Sequence, residues 1–339
     1  MTATDERTTN LEEHREGLRA SIAAGEPEEI MKRVAAASIA VEAREADEMI
    51  GLEPVSDALV TEVDDLIVAA IEAAAGKGHG PALVVQAKRL LDEGNEDAGV
   101  AKLRAAAASG DARSATEAAW VLWEDSIADH AEDANAFAEL GAKTDPTGRA
   151  EYVLGLFAYN AFGRKESQEE SRAFHEAAAK KGNADAMFEL YAMLSQGLGG
   201  KKDAKGALAW CTRAAEGGNA RAMSNLGSFY ATGKGVSRDA KKSALWYDRA
   251  ARAGNGKAAA TLGVMYAMGN DVREDADKAK EYFALADEHG FDWREFAETM
   301  GLDPDDYELD YEDEDEAEDE EPVAAEGEGE EEDEDDDEA

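Results

Sequence analysis

The residues of this chain that could do chemistry are few, and their spacing suits none of the common reactions. Five histidines stand at positions 14, 79, 130, 175 and 289. None falls in a His-Glu-x-x-His run or another spacing that would turn two imidazoles to one helix face and hold a metal. Unclustered histidines of this kind read as packed or solvated side chains. Cys211 is the only cysteine, which excludes an intrachain disulfide and a cysteine metal cluster. It follows Trp210 directly and reads as a small buried apolar residue, since no base stands beside it to make a thiolate. Gly197-Leu198-Gly199-Gly200-Lys201-Lys202 and Gly233-Lys234-Gly235 look superficially like phosphate loops. Neither completes the P-loop pattern or follows a strand, so the glycines read as tight turns. Carboxylates are everywhere, and none stands out as an acid–base pair. These residues predict no enzyme, no cofactor and no bound metal.

Charge narrows the partners. The 339 residues carry 77 acidic and 35 basic side chains, a formal net charge of −42. No Lys or Arg follows Arg294, and residues 303–339 hold 25 of the acids. So acidic a chain lacks the cations that neutralise a phosphate backbone, so no nucleic-acid partner is predicted. No stretch of about 18 apolar residues occurs, so no membrane span is predicted. The start, MTATDERTTNLEEHREGLRA, lacks the basic and apolar blocks of a secretory leader, and the predicted location is cytoplasmic.

The elements that position these residues are legible from self-alignment. Residues 147–182, 183–218, 219–254 and 255–290 overlay without a gap. Ala150, Ala186, Ala222 and Ala258 form one column, and Leu154, Leu190, Leu226 and Leu262 another. Gly155, Gly227 and Gly263 form a third, broken by Tyr191. Ser167, Asp203, Asp239 and Asp275 sit where a second helix should start, as N-caps. Then come an aromatic column (Phe174, Trp210, Trp246, Tyr282), an alanine column and a closing glycine column, Gly182, Gly218, Gly254 and Gly290. The first three of these glycines are followed by Asn, and the column reads as the left-handed turn that ends a helix. Each unit is therefore helix, loop, helix, tight turn, and units must stack to bury their apolar faces. Ahead of this core lie a shorter unit starting at Pro81 and an eroded one over 112–146. Residues 10–76 read as about three helices interrupted at Gly25-Glu26-Pro27 and Gly51-Leu52-Glu53-Pro54. The predicted fold is all-α, an α/α superhelix (solenoid) of about six two-helix repeats of about 36 residues. Its parts are an N-terminal helical cap over 1–80, repeats over 81–291, a capping helix over 292–302 and a disordered acidic tail over 303–339.

The columns Ala-x3-Leu-Gly, Gly-x-Gly, Asp, and aromatic followed by Ala-Ala and Gly-Asn resemble the Sel-one-like repeat, a relative of the tetratricopeptide repeat. NARAMSNLGSFYATGKGVSRDAKKSALWYDRAARAG matches it most fully. The resemblance covers 147–290 strongly and 81–146 in part. It implies an α/α solenoid that scaffolds a protein partner, and the lack of paired cysteines resembles the intracellular forms.

By analogy with tetratricopeptide solenoids, first helices line a concave groove, and the positions beside the structural columns face a peptide or protein partner. These are Arg149, Tyr152 and Asn160, then Asp185, Phe188 and Gln196, then Arg221 and Asn225, then Lys257. Tyr152 and Phe188 would anchor a ligand, and Arg149, Arg221 and Lys257 would form a basic line; a solvated surface with two packed aromatics is the competing reading. The acidic tail has three readings: a solubilising brush, a capture device for basic proteins, or a segment that folds back on the basic line. The main expectation is a protein-interaction scaffold; the alternative is an acidic chaperone or decoy for basic proteins.

Overall fold

The computed structural model describes residues 3–49 and 56–307, and among them are sixteen α-helices and no strand. The first three, α1 (Ala3–Ala24), α2 (Pro27–Met49) and α3 (Asp57–Gly76), pack mutually as a bundle. Gly25, at φ 72°, ends α1, and Pro27 opens α2 where its missing N–H costs nothing. Leu11, Leu18, Ile30, Val34, Val60 and Val63 fill the interior.

Six helix pairs follow: α4 (Gly80–Asp92) with α5 (Glu96–Ala108), α6 (Ala112–Glu124) with α7 (Ala131–Ala142), and α8 (Arg149–Asn160) with α9 (Gln168–Lys180). Next come α10 (Ala184–Gln196) with α11 (Ala204–Glu216), α12 (Ala220–Thr232) with α13 (Ala240–Arg252), and α14 (Gly256–Met268) with α15 (Ala276–Glu288). Each pair packs on the next through its second helix, giving the expected solenoid. The eroded unit is the pair α6 and α7, with a 3₁₀ turn at Ala128–His130 inserted between them. Its junction with the following pair is held by an aromatic cluster, with Trp123 5.7 Å from Phe157 and 5.0 Å from Phe162.

The columns have the physical roles their residue types suggest. Asp203, Asp239 and Asp275 accept the N–H groups of Gly206, Lys242 and Lys278 at 2.9, 3.1 and 3.2 Å, and so cap the second helices. The Asn of each Gly-Asn turn has its own function. Asn183, Asn219 and Asn255 cap the next first helix, accepting from Ala186, Ala222 and Ala258 at 2.8–2.9 Å. The preceding glycines have φ of 98°, 100° and 90°, which a side chain would strain. The alanines at 150, 186, 222 and 258 are fully buried.

The glycine column faces a ring that the residue-type columns did not reveal. A Cβ on Gly155 would meet the His175 ring at 2.5 Å, one on Gly227 the Tyr247 ring at 3.0 Å, and one on Gly263 the Phe283 ring at 2.6 Å. The buried rings His175, Tyr247 and Phe283, with Cys211 at the equivalent place, therefore form a column one residue past the aromatic column read from the sequence. Phe174, Trp210 and Trp246 are half-buried instead, lying under Arg164, Arg213 and Arg249 at 5.2, 4.8 and 4.9 Å.

The last pair is closed by α16 (Trp293–Thr299). Trp293 is buried, stacks on Phe283 at 4.0 Å, and donates its indole N–H to Asp287 at 3.0 Å. A 3₁₀ turn at Pro304–Tyr307 follows, with Tyr307 edge-on to Phe283 at 5.6 Å. The chain therefore stays packed for several residues past 303, and the rest of the expected acidic tail lies outside the described residues.

Candidate partner-binding face

The nine candidate residues fall at the start, middle and end of the first helices α8, α10, α12 and α14. Arg149, Asp185, Arg221 and Lys257 occupy the opening turn of each helix, and all four are exposed. Asn160 and Gln196 end their helices, also exposed, and the Asn160 amide donates to Leu156 O of its own helix at 2.8 Å. Asn225 is half-buried.

Two features bear on the expected groove. Tyr152 and Phe188 are packing residues. Tyr152 is half-buried, 5.7 Å from the His175 ring, and Phe188 is only 7% exposed, with the Arg221 guanidinium 4.3 Å above it. The basic line is also not a line of uncompensated charge. Arg149 reaches Glu117 at 3.4 Å and stacks on Trp120 at 5.4 Å. Arg221 reaches Glu189 at 3.4 Å, and Asp185 interrupts the row and accepts from Asn219 at 2.8 Å. Among the described residues, Lys257 is the member of the row with no carboxylate partner shown.

The pairing has a geometric cause. Glu117 and Arg149 are 32 positions apart, as are Glu189 and Arg221. That is about one repeat less one helical turn, so the carboxylate of one first helix meets the guanidinium of the next. Glu117, Trp120 and Glu189 therefore belong to the face although residue-type reasoning missed them. The constant spacing was the available signal.

The face is densest across α8, α10 and α12. Burial raises the Tyr152 phenol to about 12, helped by the carboxylates of Asp185 and Glu189. Burial also raises the Glu189 carboxyl, with Asp185 adding to the effect and Arg221 opposing it. This is a surface of compensated charge backed by rings.

Elsewhere, the reactive residue types are absorbed by packing. Cys211 is buried and its thiol pushed up to about 12 by burial, which removes the thiolate that a nucleophile needs. His175 is buried and its imidazole lowered to about 4 by burial. Among the described residues no group of three or more His, Cys, Asp or Glu is placed to hold a metal ion, and no helix is long and apolar enough to cross a membrane.

The Sel1 repeat family model matches residues 148–183, 184–219, 220–255 and 256–291, one residue out of step with the register read from the sequence. Residues 148–291 therefore carry four Sel1 repeats. Sel1 repeats generally mediate protein binding. Among solved structures, the chain is similar to a Sel1 repeat protein from Oxalobacter formigenes, at 25% identity and a TM-score of 0.52, over 61% of this chain and 84% of that one. It also shares its fold with c5321, a protective antigen of uropathogenic Escherichia coli strains displaying an SLR fold, at 20% identity and a TM-score of 0.52. That match covers 81% of this chain but 56% of the antigen, so the chain spans little more than half of that relative. No curated protein matches the chain. The candidate face lies on the Sel1 repeats and, through Glu117 and Trp120, extends onto the eroded unit ahead of them.

Proposed function

We propose that this chain is a non-catalytic cytoplasmic scaffold that holds a protein partner, as a peptide or a folded surface, along the concave face of its first helices from Arg149 to Lys257. The observation that carries this reading is the ladder of Arg149 on Glu117 and Trp120 and of Arg221 on Glu189 and Phe188. Side chains already held by neighbours lose little rotamer freedom when a partner arrives, and Arg over an aromatic is a combination that binding hot spots favour. The single buried cysteine suits a reducing compartment.

The test is capture of partners from cells with the wild-type chain and with a variant carrying R149A, R221A and K257A. A specific protein retained by the wild type should be lost by the variant while thermal unfolding stays cooperative. Identical retained proteins for both chains would rule out this face. A second reading, capture of basic proteins by the acidic segment, is favoured by the 25 acidic residues over 303–339. Binding of that kind should collapse as salt rises past the physiological range, whereas binding to the ladder should persist.

A further inference from the structure

Two neighbouring loops on one edge of the array, those within the α10/α11 and α12/α13 pairs, carry a charge opposite to that of the chain as a whole. The loops opening α11 and α13, with the first turns of those helices, carry Lys201, Lys202, Lys205, Lys234 and Lys241, all exposed. Among the described residues none of these five has a carboxylate partner shown. Their neighbours are compensated: Arg238 pairs with Asp271, and Lys242 lies 3.7 Å from Asp239. The two acids of these segments, Asp203 and Asp239, are occupied as N-caps.

The two loops form one surface. Lys202 and Lys234 both line an open cleft of about 400 Å³ that also includes Leu208 and Phe229, and a Cβ on Gly235 would stand 3.2 Å from Leu208. The loop of the last pair is different, with Asp271, Glu274 and Asp275 around Arg273. The described residues end at Tyr307, beside that loop. Tyr307 packs on Phe283 of α15, and its phenol is raised by burial and then by Asp306 and Glu274. The acidic segment thus starts next to like charge, with the lysine-rich loops one and two repeats back along the same edge.

We infer that the acidic segment 308–339 docks in cis along this loop edge, with residues 312–321 lying against Lys201, Lys202, Lys205, Lys234 and Lys241. Its reach fits. Helices pack 8–10 Å apart, so successive loops are at most about 20 Å apart and the two lysine-rich loops lie within about 20 and about 40 Å of the last loop, beside Tyr307. At about 3.3 Å per extended residue, positions 312–321 span about 16–46 Å from Tyr307. Nine of those ten residues are Asp or Glu. The first-helix ladder offers no equivalent, because its arginines already have carboxylate partners. Docking would leave the ladder open to a partner and shield the lysine edge from any other acidic protein.

The test is zero-length carbodiimide cross-linking of the full chain, with mass spectrometry of the monomer band, at about 20 mM and about 500 mM salt, on either side of the physiological screening length. Expected are cross-links from 312–321 concentrated on the five lysines, falling at least about five-fold at high salt as screening predicts. Cross-links spread evenly over Lys32, Lys143, Lys180 and Lys257 would overturn the inference, and so would links found only in a dimer band, which would mean docking on a second copy. A variant with all five lysines changed to Gln, each exposed and thus harmless to the core, gives an independent readout. Cleavage within 308–339 by a glutamate-specific protease should be several-fold faster in it than in the wild type at low salt, and equal rates would also overturn the inference.

Discussion

His175 shows what a single residue contributes here. Its ring lies where Gly155 has no side chain, and a Cβ there would meet it at 2.5 Å. The imidazole is 2% exposed and its Nδ1 has no hydrogen-bond partner, so burial holds it neutral and lowers it to about 4. In the unfolded chain the same group titrates near 6.5. Between these values the unfolded state binds the extra proton, so stability is lost as pH falls from about 6.5 towards 4 and is complete above that window. The shift corresponds to about 3 kcal/mol once both values have been passed. Replacing His175 with Phe, the residue that fills this position as Phe283 three units later in the same column, should remove this component. Urea midpoints at pH 7 and about 4.5 should then fall less in the variant than in the wild type, and equal falls would show that His175 is not held neutral. Asp145 acts in the same sense at lower pH. Burial opposes its charge, but hydrogen bonds from Ala150 and Thr147 outweigh this and keep its carboxyl below the ordinary range, so its contribution is lost only as pH falls through that lowered value.

At the scale of the element, the unit is a helix pair locked by one glycine and one ring, and the α10/α11 pair tests this by inverting it. Where the other units place Gly155, Gly227 or Gly263 against His175, Tyr247 or Phe283, this pair has Tyr191 against Cys211. The large group has moved to the first helix and the small one to the second, conserving volume. Tyr191→Gly alone should leave a cavity, and Cys211→Tyr alone should overpack against Tyr191, each costing about 2–4 kcal/mol. Combined, they rebuild the arrangement of the next unit, and the double-mutant cycle should recover at least about 2 kcal/mol by coupling. Additive losses in denaturant unfolding would refute the exchange. The caps are simpler: Asp203→Ala should cost about 1 kcal/mol, read by the same unfolding. This element also marks how far the sequence could be read. Alanine, leucine, glycine, Asp and Gly-Asn columns were visible because one residue type recurs at each. The ring column was not, because His, Cys, Tyr and Phe share only a volume relation to the residue opposite. The repeats and their caps were thus legible in the sequence. The first-helix face was legible in position but not in state, since whether Phe188 is open or covered depends on Arg221, which comes from the next repeat.

The whole molecule is a one-dimensional stack whose fully buried apolar residues, among those described, fall into four clusters joined by half-buried side chains such as Tyr152, Met187 and Met223. One cluster runs from Leu11 in the N-terminal bundle to Phe157 in α8. Beyond it lie two small clusters, one around Leu190 and Leu194 and one around Cys211 and Leu226, and then a larger one from Tyr247 to Ala297. In such an array stability is a sum of unit and interface contributions, so a lesion at one end should not reach the other. Trp293 and Phe283 are the most buried rings of the C-terminal cluster, each 1% exposed, and they stack at 4.0 Å. Trp293→Ala should therefore cost about 3–5 kcal/mol locally, by losing both the stacked ring and the cover over the last pair. Hydrogen exchange of the full chain should show protection falling over α14, α15 and α16, with α1 to α8 unchanged, because the small middle clusters transmit little of the loss. A uniform fall from α3 to α15 would mean that the middle pairs couple the ends despite their small clusters. The ladder from Glu117 to Lys257 would then respond to a partner as one rigid face, and not as separate repeats that yield one at a time.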